Sequence, residues 1–591
     1  MDPTPQDAQL RERAERWLND DPDPVTRKEL RALLDQPDPS KTDLADRFAA
    51  SLEFGTAGLR GVLGAGPNRM NRAVVARATW GLAQHVLASV PGAAQRGVVV
   101  GGDARHLSKE LSEDTAAILA AAGLRVVLFR HPVPTPLVGF AVKKLGAAAG
   151  VVVTASHNPP EYNGYKVYWQ NAAQIIPPID AGIAAAIERA PAAKDVARPE
   201  LEALIARGLV AVASPELEDE YIGAVLAVQV HPGQGDRALG IVYTPMHGVG
   251  DAIARRVLLR SGFTNVTSVP EQQQPDPAFP TVAFPNPEEK GAMDLSLALA
   301  RRTKAELVLA NDPDADRLAV AVPEDGGREG YRQLTGNQVG ALLGHYVLTE
   351  RAAGAAPGRR AVIASLVSSP LLGRIAAALG VRYEETLTGF KWIANRALEL
   401  EHEGYAFVFG FEEALGYCVG DVVRDKDGIS AALVFAEMAA VLKARGTSVL
   451  AALDAIARQF GVFTSSQVNV VRKAASGALE LRKMMDRLRA SPPRAVADDA
   501  VVAVSDYQAR TRTVLATGKT APLTLPPSNV LAFELASGSR IIARPSGTEP
   551  KAKFYFDVRQ EVRAGETVEE ATGRAVAEMR RLEGAFGAIA T

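Results

Sequence analysis

The chain has 591 residues, 47% of them hydrophobic and 23% charged, with 66 Lys and Arg against 68 Asp and Glu for a net charge of −2. That length exceeds one hydrophobic core and sets an expectation of roughly four domains; the composition is that of a soluble globular protein, and the balanced charge offers no basic field for nucleic acid or an anionic membrane. The single cysteine, Cys418, excludes an intramolecular disulfide and a thiolate zinc cluster, and it fits a reducing, cytoplasmic setting.

The first fifty residues read as amphipathic helix broken at 21–24 and again at 37–39, where Asp and Pro cluster. Their acidic start lacks the basic and apolar segments of a secretory signal, no apolar run reaches the length of a membrane span, and the Asn265-Val266-Thr267 triplet reads as accidental. A recurring pattern then begins. The runs 97–102, 150–154, 239–243, 306–310 and 405–409 are strand-like, and most lead through turn chemistry into a helical stretch, which implies α/β layers with parallel strands. In such layers the loops at the carboxyl ends of strands are the usual place for a site. Boundaries fall near 215, after a long Ala-rich helical tract, and near 330 and 465, dividing the chain into 1–215, 216–330, 331–465 and 466–591. The last third changes character: a charged helix at 479–489, a Pro-rich stretch at 521–528, antiparallel-looking strands at 530–534 and 553–558 and a closing helix predict a smaller α+β domain. No repeat of 20 to 50 residues is visible in the letters.

Four loops carry candidate chemistry. In Gly150-Val-Val-Val-Thr154-Ala-Ser156-His157-Asn158-Pro159 a buried-looking strand delivers a serine onto a turn, and Asn-Pro keeps that turn out of a helix. Serine oxygen can carry a phosphoryl group when metal and cations stabilise it, although Ser-His-Asn after a strand is also ordinary turn chemistry. Asn311-Asp312-Pro313-Asp314-Ala315-Asp316-Arg317 presents three carboxylates at alternate positions after an apolar run. Such oxygen ligands suit Mg²⁺, and without a cation the acids would repel one another. A calcium loop is excluded, because its sixth position is Arg317 instead of glycine and its twelfth is Pro323 instead of a bidentate acid; a solvated acidic turn is the bland alternative.

Phe407-Val-Phe409-Gly410-Phe411-Glu412-Glu413-Ala414 places two acids after a strand, where they either accept hydrogen bonds from sugar hydroxyls or open a solvated helix. Downstream, Lys426 in Arg424-Asp-Lys-Asp-Gly428 is either a proton shuttle or an exposed turn residue. Finally, Arg544-Pro-Ser546-Gly547-Thr548-Glu549-Pro550-Lys551 combines a guanidinium, two hydroxyls and a Gly-containing turn, the makings of a phosphate cradle, or else a plain strand-to-strand turn.

Taken together and in this order, these loops and the segment Phe54-Gly-Thr-Ala-Gly-Leu-Arg60-Gly61 resemble the α-D-phosphohexomutase superfamily over essentially the whole chain. The Trp17-Leu-Asn-Asp-Asp21, Thr244-Pro-Met-His-Gly248 and Thr388-Gly389-Phe-Lys391-Trp392 stretches look like its phosphoglucomutase-2/phosphopentomutase branch. The resemblance implies three mixed α/β domains and a fourth like the TATA-binding-protein fold around a central cleft. It implies that Ser156 carries the transferable phosphoryl group and that Asp312, Asp314, Asp316 and one phosphate oxygen on Ser156 hold Mg²⁺. Arg60, Lys166 and Arg317 would flank the transfer, and His157, Thr388, Gly389 and Glu412 would meet the substrate. Arg544, Ser546, Gly547 and Thr548 would bind the phosphate that stays put.

In the implied mechanism phosphoserine donates to the free hydroxyl of an aldose monophosphate, the bisphosphate turns around, and the other phosphate returns to Ser156, with positioning and electrostatics supplying most of the catalysis. A sugar bisphosphate is then the activator and small sugar phosphates are the partners, while oligomeric state is not legible. The lysine that handles the proton is open among Lys166, Lys391 and Lys426. Glucose 1-phosphate is the first expectation. Where many hexose-specific members carry serine two positions after the first glutamate, this chain has Ala414, which keeps pentose 1-phosphates in play. A bisphosphate synthase, a metal-dependent phosphatase and a non-catalytic sugar-phosphate sensor are the rivals.

Overall fold

The computed structural model describes residues 5–36, 42–53, 58–324, 330–351, 357–471, 477–545 and 551–590. Two bodies are distinguished. The first comprises Met1–Leu334, Gly389–Glu399 and Ala414–Val441, and the second comprises Thr335–Thr388, Leu400–Glu413 and Leu442–Thr591.

In the first body, the strands β1 (Leu59–Val62), β2 (Val98–Gly102), β3 (Val126–Leu128), β4 (Ala149–Val153), β5 (Tyr162–Trp169) and β6 (Val210–Val212) form a sheet ordered β1-β5-β4-β2-β3-β6. Strands β4, β2, β3 and β6 run parallel, and β5 is antiparallel to both β4 and β1. Every residue of β2 and β4 is buried, as continuous apolar runs covered on both faces should be. A second sheet, ordered β11-β10-β9-β7-β8, is built from β7 (Ile241–Thr244), β8 (Val266–Ser268), β9 (Leu307–Ala310), β10 (Ala319–Glu324) and β11 (Gly330–Gln333). N-terminal helices Pro5–Asp20 and Pro24–Leu34 pack Leu10, Ala14, Leu18, Leu30 and Leu34 into a small core of their own, the i, i+4 spacing placing the first three on one face. The break at 21–23 is as expected: Asp23 caps the second helix by accepting from Val25 N at 3.0 Å, and Pro24 occupies the first turn. The expected break at 37–39 lies outside the described residues.

In the second body, β12 (Arg360–Ser365), β13 (Arg382–Thr386) and β14 (Ala406–Glu412) run parallel in the order β13-β12-β14. The strand β15 (Gly416–Val419) belongs to the first body, where Gly416 bridges to Arg317. The C-terminal part is an antiparallel sheet ordered β16-β23-β22-β21-β18-β19-β20, made of β16 (Val462–Val471), β18 (Asp499–Asp506), β19 (Thr511–Val514), β20 (Thr520–Pro522), β21 (Leu531–Leu535), β22 (Arg540–Pro545) and β23 (Lys551–Gln560), with β17 (Ala495–Val496) pairing β18. Helices Gly477–Ala490 and Val568–Ala590 cover it through Met485, Leu582 and Phe586, which is the expected α+β arrangement.

All the expected strands are present, with ends shifted by at most three residues. One expectation fails: the Ala-rich tract before 215 is not one helix. It is divided into Ile179–Glu188 and Leu201–Ala206, followed by β6, because Pro191, Pro199 and Gly208 interrupt the helical hydrogen bonding.

Two glycines let loops of the first body close on 311–317. A Cβ on Gly428 would overlap the Arg317 carbonyl, and one on Gly248 would overlap Pro313. Gly428→Ala should therefore destabilise by about 1–3 kcal/mol through overpacking. Gly584→Ala, exposed within Val568–Ala590 and with nothing near its added methyl, should be neutral to stabilising by up to about 1 kcal/mol. Denaturant unfolding of the two variants checks the contrast.

Candidate active site

Strand β4 ends at Val153, and the chain then turns sharply at Ser156, whose φ of 54° is left-handed and costs a non-glycine residue roughly 1–2 kcal/mol. Local bonds hold that conformation. Ser156 N donates to Thr154 Oγ1 at 2.8 Å, and Thr154 Oγ1 donates to Asp103 Oδ2 at 2.6 Å. Arg105 threads the turn from beneath: its guanidinium donates to the carbonyls of Ser156 at 2.6 Å, Asn158 at 2.5 Å, Pro159 at 2.9 Å and Tyr162 at 3.3 Å. Thus fixed, Ser156 Oγ donates to Asp312 Oδ2 at 3.0 Å and lies 3.3 Å from His157 Nδ1. Burial, with Arg317 and Arg60 nearby, pushes His157 well below the usual imidazole range, so that ring is neutral. Arg60, on β1, donates to Asn158 Oδ1 at 2.9 Å and faces the same turn.

The second sheet supplies the acids. Strand β9 is wholly buried, and the loop after it is tied down by Asn311, which accepts from Tyr243 Oη at 2.7 Å and donates to Arg317 O at 2.6 Å. Asp312, Asp314 and Asp316 are each fully buried and offer carboxylate oxygens within 4.8 Å of one another. Lys166, from β5, donates to Asp314 Oδ2 at 2.8 Å and Asp316 Oδ2 at 2.9 Å, and Thr135 Oγ1 donates to Asp314 Oδ2 at 2.7 Å. The opposite oxygens, Asp314 Oδ1 and Asp316 Oδ1, are buried with no hydrogen-bond partner among the described residues. Orphaned carboxylate oxygens are costly. Three hard oxygen donors converging on one point, two of them unpaired, fit a divalent cation such as Mg²⁺.

Electrostatics follow from that packing. Burial and the adjoining Asp314 and Asp316 push Asp312 well above the usual carboxylate range. Burial would raise Asp316 as well, but Lys166, Lys426 and Arg317 outweigh it and hold it low. Lys166 gains the converse: burial disfavours its charge, yet Asp314 and Asp316 raise it, so it stays an ammonium.

Of the three candidate lysines, two reach the triad. Lys426 Nζ is 3.2 Å from Asp316 Oδ2 and 3.6 Å from Asp425 Oδ1. Asp425 itself accepts from Tyr168 Oη and Gln174 Nε2, both at 2.6 Å, so β5 braces the Lys426 loop with the same strand that presents Lys166. Lys391 is buried at the start of helix Phe390–His402, with Nζ 5.8 Å from the Trp392 ring centroid. Among the described residues it makes neither a hydrogen bond nor an ion pair with the triad. Gly389, before it, has φ 116°, a conformation that favours glycine.

Within the second body, Glu412 ends β14 and is buried, and Thr388 follows β13. Arg544, near the end of β22, hydrogen-bonds Tyr555 of β23, whose phenol is pushed up to about 12 chiefly by burial and by Glu413, with Glu412 adding to it. Arg540, four residues before Arg544, donates to Ser368 O at 2.7 Å, and Ser368 Oγ donates to Glu413 Oε2 at 3.1 Å. The expected phosphate-loop residues Ser546, Gly547 and Thr548, like 54–57, lie outside the described residues.

Sequence reading missed Asp103, Arg105, Thr135, Asp425 and Tyr555. Asp103 carried a usable signal, since Gly101-Gly102-Asp103 closes an apolar strand as the four candidate loops do. Thr135 and Tyr555 carried none, because they arrive from distant segments.

If the triad is a metal site, Mg²⁺ binds the folded chain alone and stabilises it by mass action. Adding Mg²⁺ to chelator-treated protein should raise the melting temperature, and Asp314→Asn should abolish most of that rise; calorimetric titration of the two proteins checks it.

Comparison with known proteins matches this architecture domain by domain. Phosphoglucomutase/phosphomannomutase family models match α/β/α domain I at residues 51–194, domain II at 219–327, domain III at 335–460 and the C-terminal domain at 482–573. The chain is 38% identical over 582 residues to the phosphoribomutase of Saccharomyces cerevisiae, covering 92% of this chain and 91% of that one. It is 37% identical over 582 residues to the phosphopentomutase of Homo sapiens, covering 94% and 92%. To the glucose 1,6-bisphosphate synthase of Homo sapiens it is 34% identical over 588 residues, covering 93% and 90%. The four-domain scaffold with its aspartate triad is that of an intramolecular phosphotransferase with phosphosugar-mutase chemistry, and the chain belongs to the phosphoglucomutase/phosphomannomutase family within the α-D-phosphohexomutase superfamily.

Proposed function

We propose that the chain is a phosphopentomutase, interconverting ribose or deoxyribose 1-phosphate and 5-phosphate through phosphoserine at Ser156 and a bound 1,5-bisphosphate. The observation that carries the choice of sugar is the similarity to a phosphopentomutase and a phosphoribomutase along nearly the whole chain. Ala414 supports it, because it removes a side-chain hydrogen bond at the sugar loop. Glucose 1-phosphate, the first expectation from sequence, is named by neither of these two relatives, and the hexose reading rests instead on a 40% identity over 495 residues to a probable phosphomannomutase of Haemophilus influenzae. The synthase at lower identity defines the second reading, in which bisphosphate would be released as product.

In this reading the pentose hydroxyl attacks phosphorus, the P–O bond to Ser156 Oγ breaks, and after the bisphosphate turns round the second phosphate returns to Oγ. Arg60, Arg317 and neutral His157 line the phosphoryl group, while Thr388, Gly389 and Glu412 receive the sugar. Arg544, Ser546, Gly547 and Thr548 hold the resting phosphate. Asp312, Asp314 and Asp316, with a phosphate oxygen on Ser156, would hold Mg²⁺, which neutralises phosphoryl oxygens when bound. Lys166, locked between two carboxylates at hydrogen-bond distance, keeps its charge; Lys426, held at longer range by Asp316 and Asp425 and less deeply buried, exchanges the hydroxyl proton. Lys391 is the third candidate for that proton. A sugar bisphosphate activates by phosphorylating Ser156. The four units are assigned to 1–215, 216–330, 331–465 and 466–591, a division supported by the spans of the four family models. A cytoplasmic location accords with a buried, unpaired Cys418. No helix among the described residues is long and apolar enough to cross a membrane.

The first test is a coupled assay with Mg²⁺ and a trace of bisphosphate on ribose, deoxyribose, glucose and mannose 1-phosphates. The pentose phosphates should give the highest kcat/KM, and Ser156→Ala should lose both turnover and the phosphorylated mass species. A glucose 1-phosphate preference would return the hexose reading, and net accumulation of bisphosphate would establish the synthase. Lys426→Ala should lower kcat by about 10²–10⁴ with KM little changed, the scale of a lost acid–base group. Lys166→Ala should weaken Mg²⁺ retention too, which metal analysis of the dialysed variants separates.

A further inference from the structure

Outside the Ser156 centre, a cavity of about 220 Å³ opens where the N-terminal helices meet the first sheet's helices. Trp17 and Asp20 share one face of helix Pro5–Asp20, with Asp21 just beyond it, and Arg77 projects from helix Arg72–Ser89. The 190–193 segment closes the side. None of these residues takes part in the chemistry described above.

Two donors here are left without acceptors. Trp17 Nε1 and Arg77 Nε are buried with no hydrogen-bond partner among the described residues, although another guanidinium nitrogen of Arg77 donates to Ile187 O at 3.3 Å. Buried donors are nearly always satisfied, so both call for an acceptor oxygen that the described residues do not supply. Asp21 is already committed, accepting from Asp23 N at 2.9 Å and Thr26 Oγ1 at 2.6 Å. Asp20 is engaged only loosely, its Oδ1 3.4 Å from Lys194 Nζ, and can accept a further donor. An anion would meet Asp20 and Asp21, and a cation would meet Arg77, so the charges favour a neutral occupant. The volume equals that of about seven liquid waters, the scale of one small ring and not of a nucleotide.

We infer that this cavity is a second binding site, separate from the catalytic centre, for a small neutral polyhydroxylated molecule such as a single unphosphorylated sugar, with ligand oxygens accepting from Trp17 and Arg77 and a ligand hydroxyl donating to Asp20. Ligand-observed NMR on the full chain tests it with D-ribose and D-glucose as neutral probes and glycine and inorganic phosphate as charged ones. At least one sugar should saturate, and Trp17→Phe, which keeps the ring and removes its N–H, should weaken it by about tenfold while leaving mutase activity unchanged. Arg77→Lys should weaken it similarly, and it decides the matter if Trp17→Phe melts early. Failure of both sugars to saturate would mean a cavity holding only water and would overturn the inference. So would saturation that neither variant alters, which would place the sugar elsewhere, or a preference for glycine or phosphate.

Discussion

Three carboxylates buried within one hydrogen-bonded loop are the constraint on which the rest of the first body depends. Left to themselves in low dielectric they would neutralise or unfold the loop. The chain answers from three directions. Strand β5 contributes Lys166, the loop before helix Gly428–Ala444 contributes Lys426, and the acidic loop's own Arg317 closes on Asp312 through its backbone N–H at 3.0 Å. The cations take one edge of the cluster and leave the other for a metal, so burial, charge pairing and metal affinity are a single arrangement.

That arrangement explains the placing of residues that do no chemistry. Asp425 sits between Tyr168 and Gln174 because Lys426 must arrive at Asp316 from a loop with no regular structure. Asp427 caps helix Gly428–Ala444 by accepting from Ile429 N and Ser430 N, each at 3.0 Å, and also accepts from Tyr221 Oη at 3.0 Å, which anchors the loop's far end. In the second body, Arg540 plays a comparable part: bonded to Glu385, Ser368 and Asp557, it joins the strand that carries Arg544 to the serines that hold Glu413.

Much of this was legible from the letters, and for identifiable reasons. Ser156, the aspartate triad, Glu412 and Arg544 all lie at strand ends where an apolar run gives way to polar turn residues, a change of pattern that survives without coordinates. Arg105, Thr135 and Asp425 were not legible as parts of the site. Their partners are 51 to 257 residues away, and no local periodicity encodes contacts at that distance. The Ala-rich tract before 215 failed for the opposite reason: composition favoured helix, while two prolines and a glycine decided where helix could not continue. Substrate choice was the least legible, because one side chain, Ala414, bore on it in the sequence.

The clamp that Arg105 places on the carbonyls of Ser156, Asn158, Pro159 and Tyr162 has a consequence for the proposed catalytic cycle. A serine so immobilised is a stationary anvil: it cannot follow a sugar across the site or swing between two receiving hydroxyls. In the proposed reaction both half-reactions would then occur at one fixed point in space, and all the travel would fall to the small molecule. On that proposal the enzyme has to release its grip on the bisphosphate enough for it to tumble, yet not so far that it diffuses away, and the rate of that tumbling would set a ceiling that no improvement of the phosphoryl-transfer step could raise.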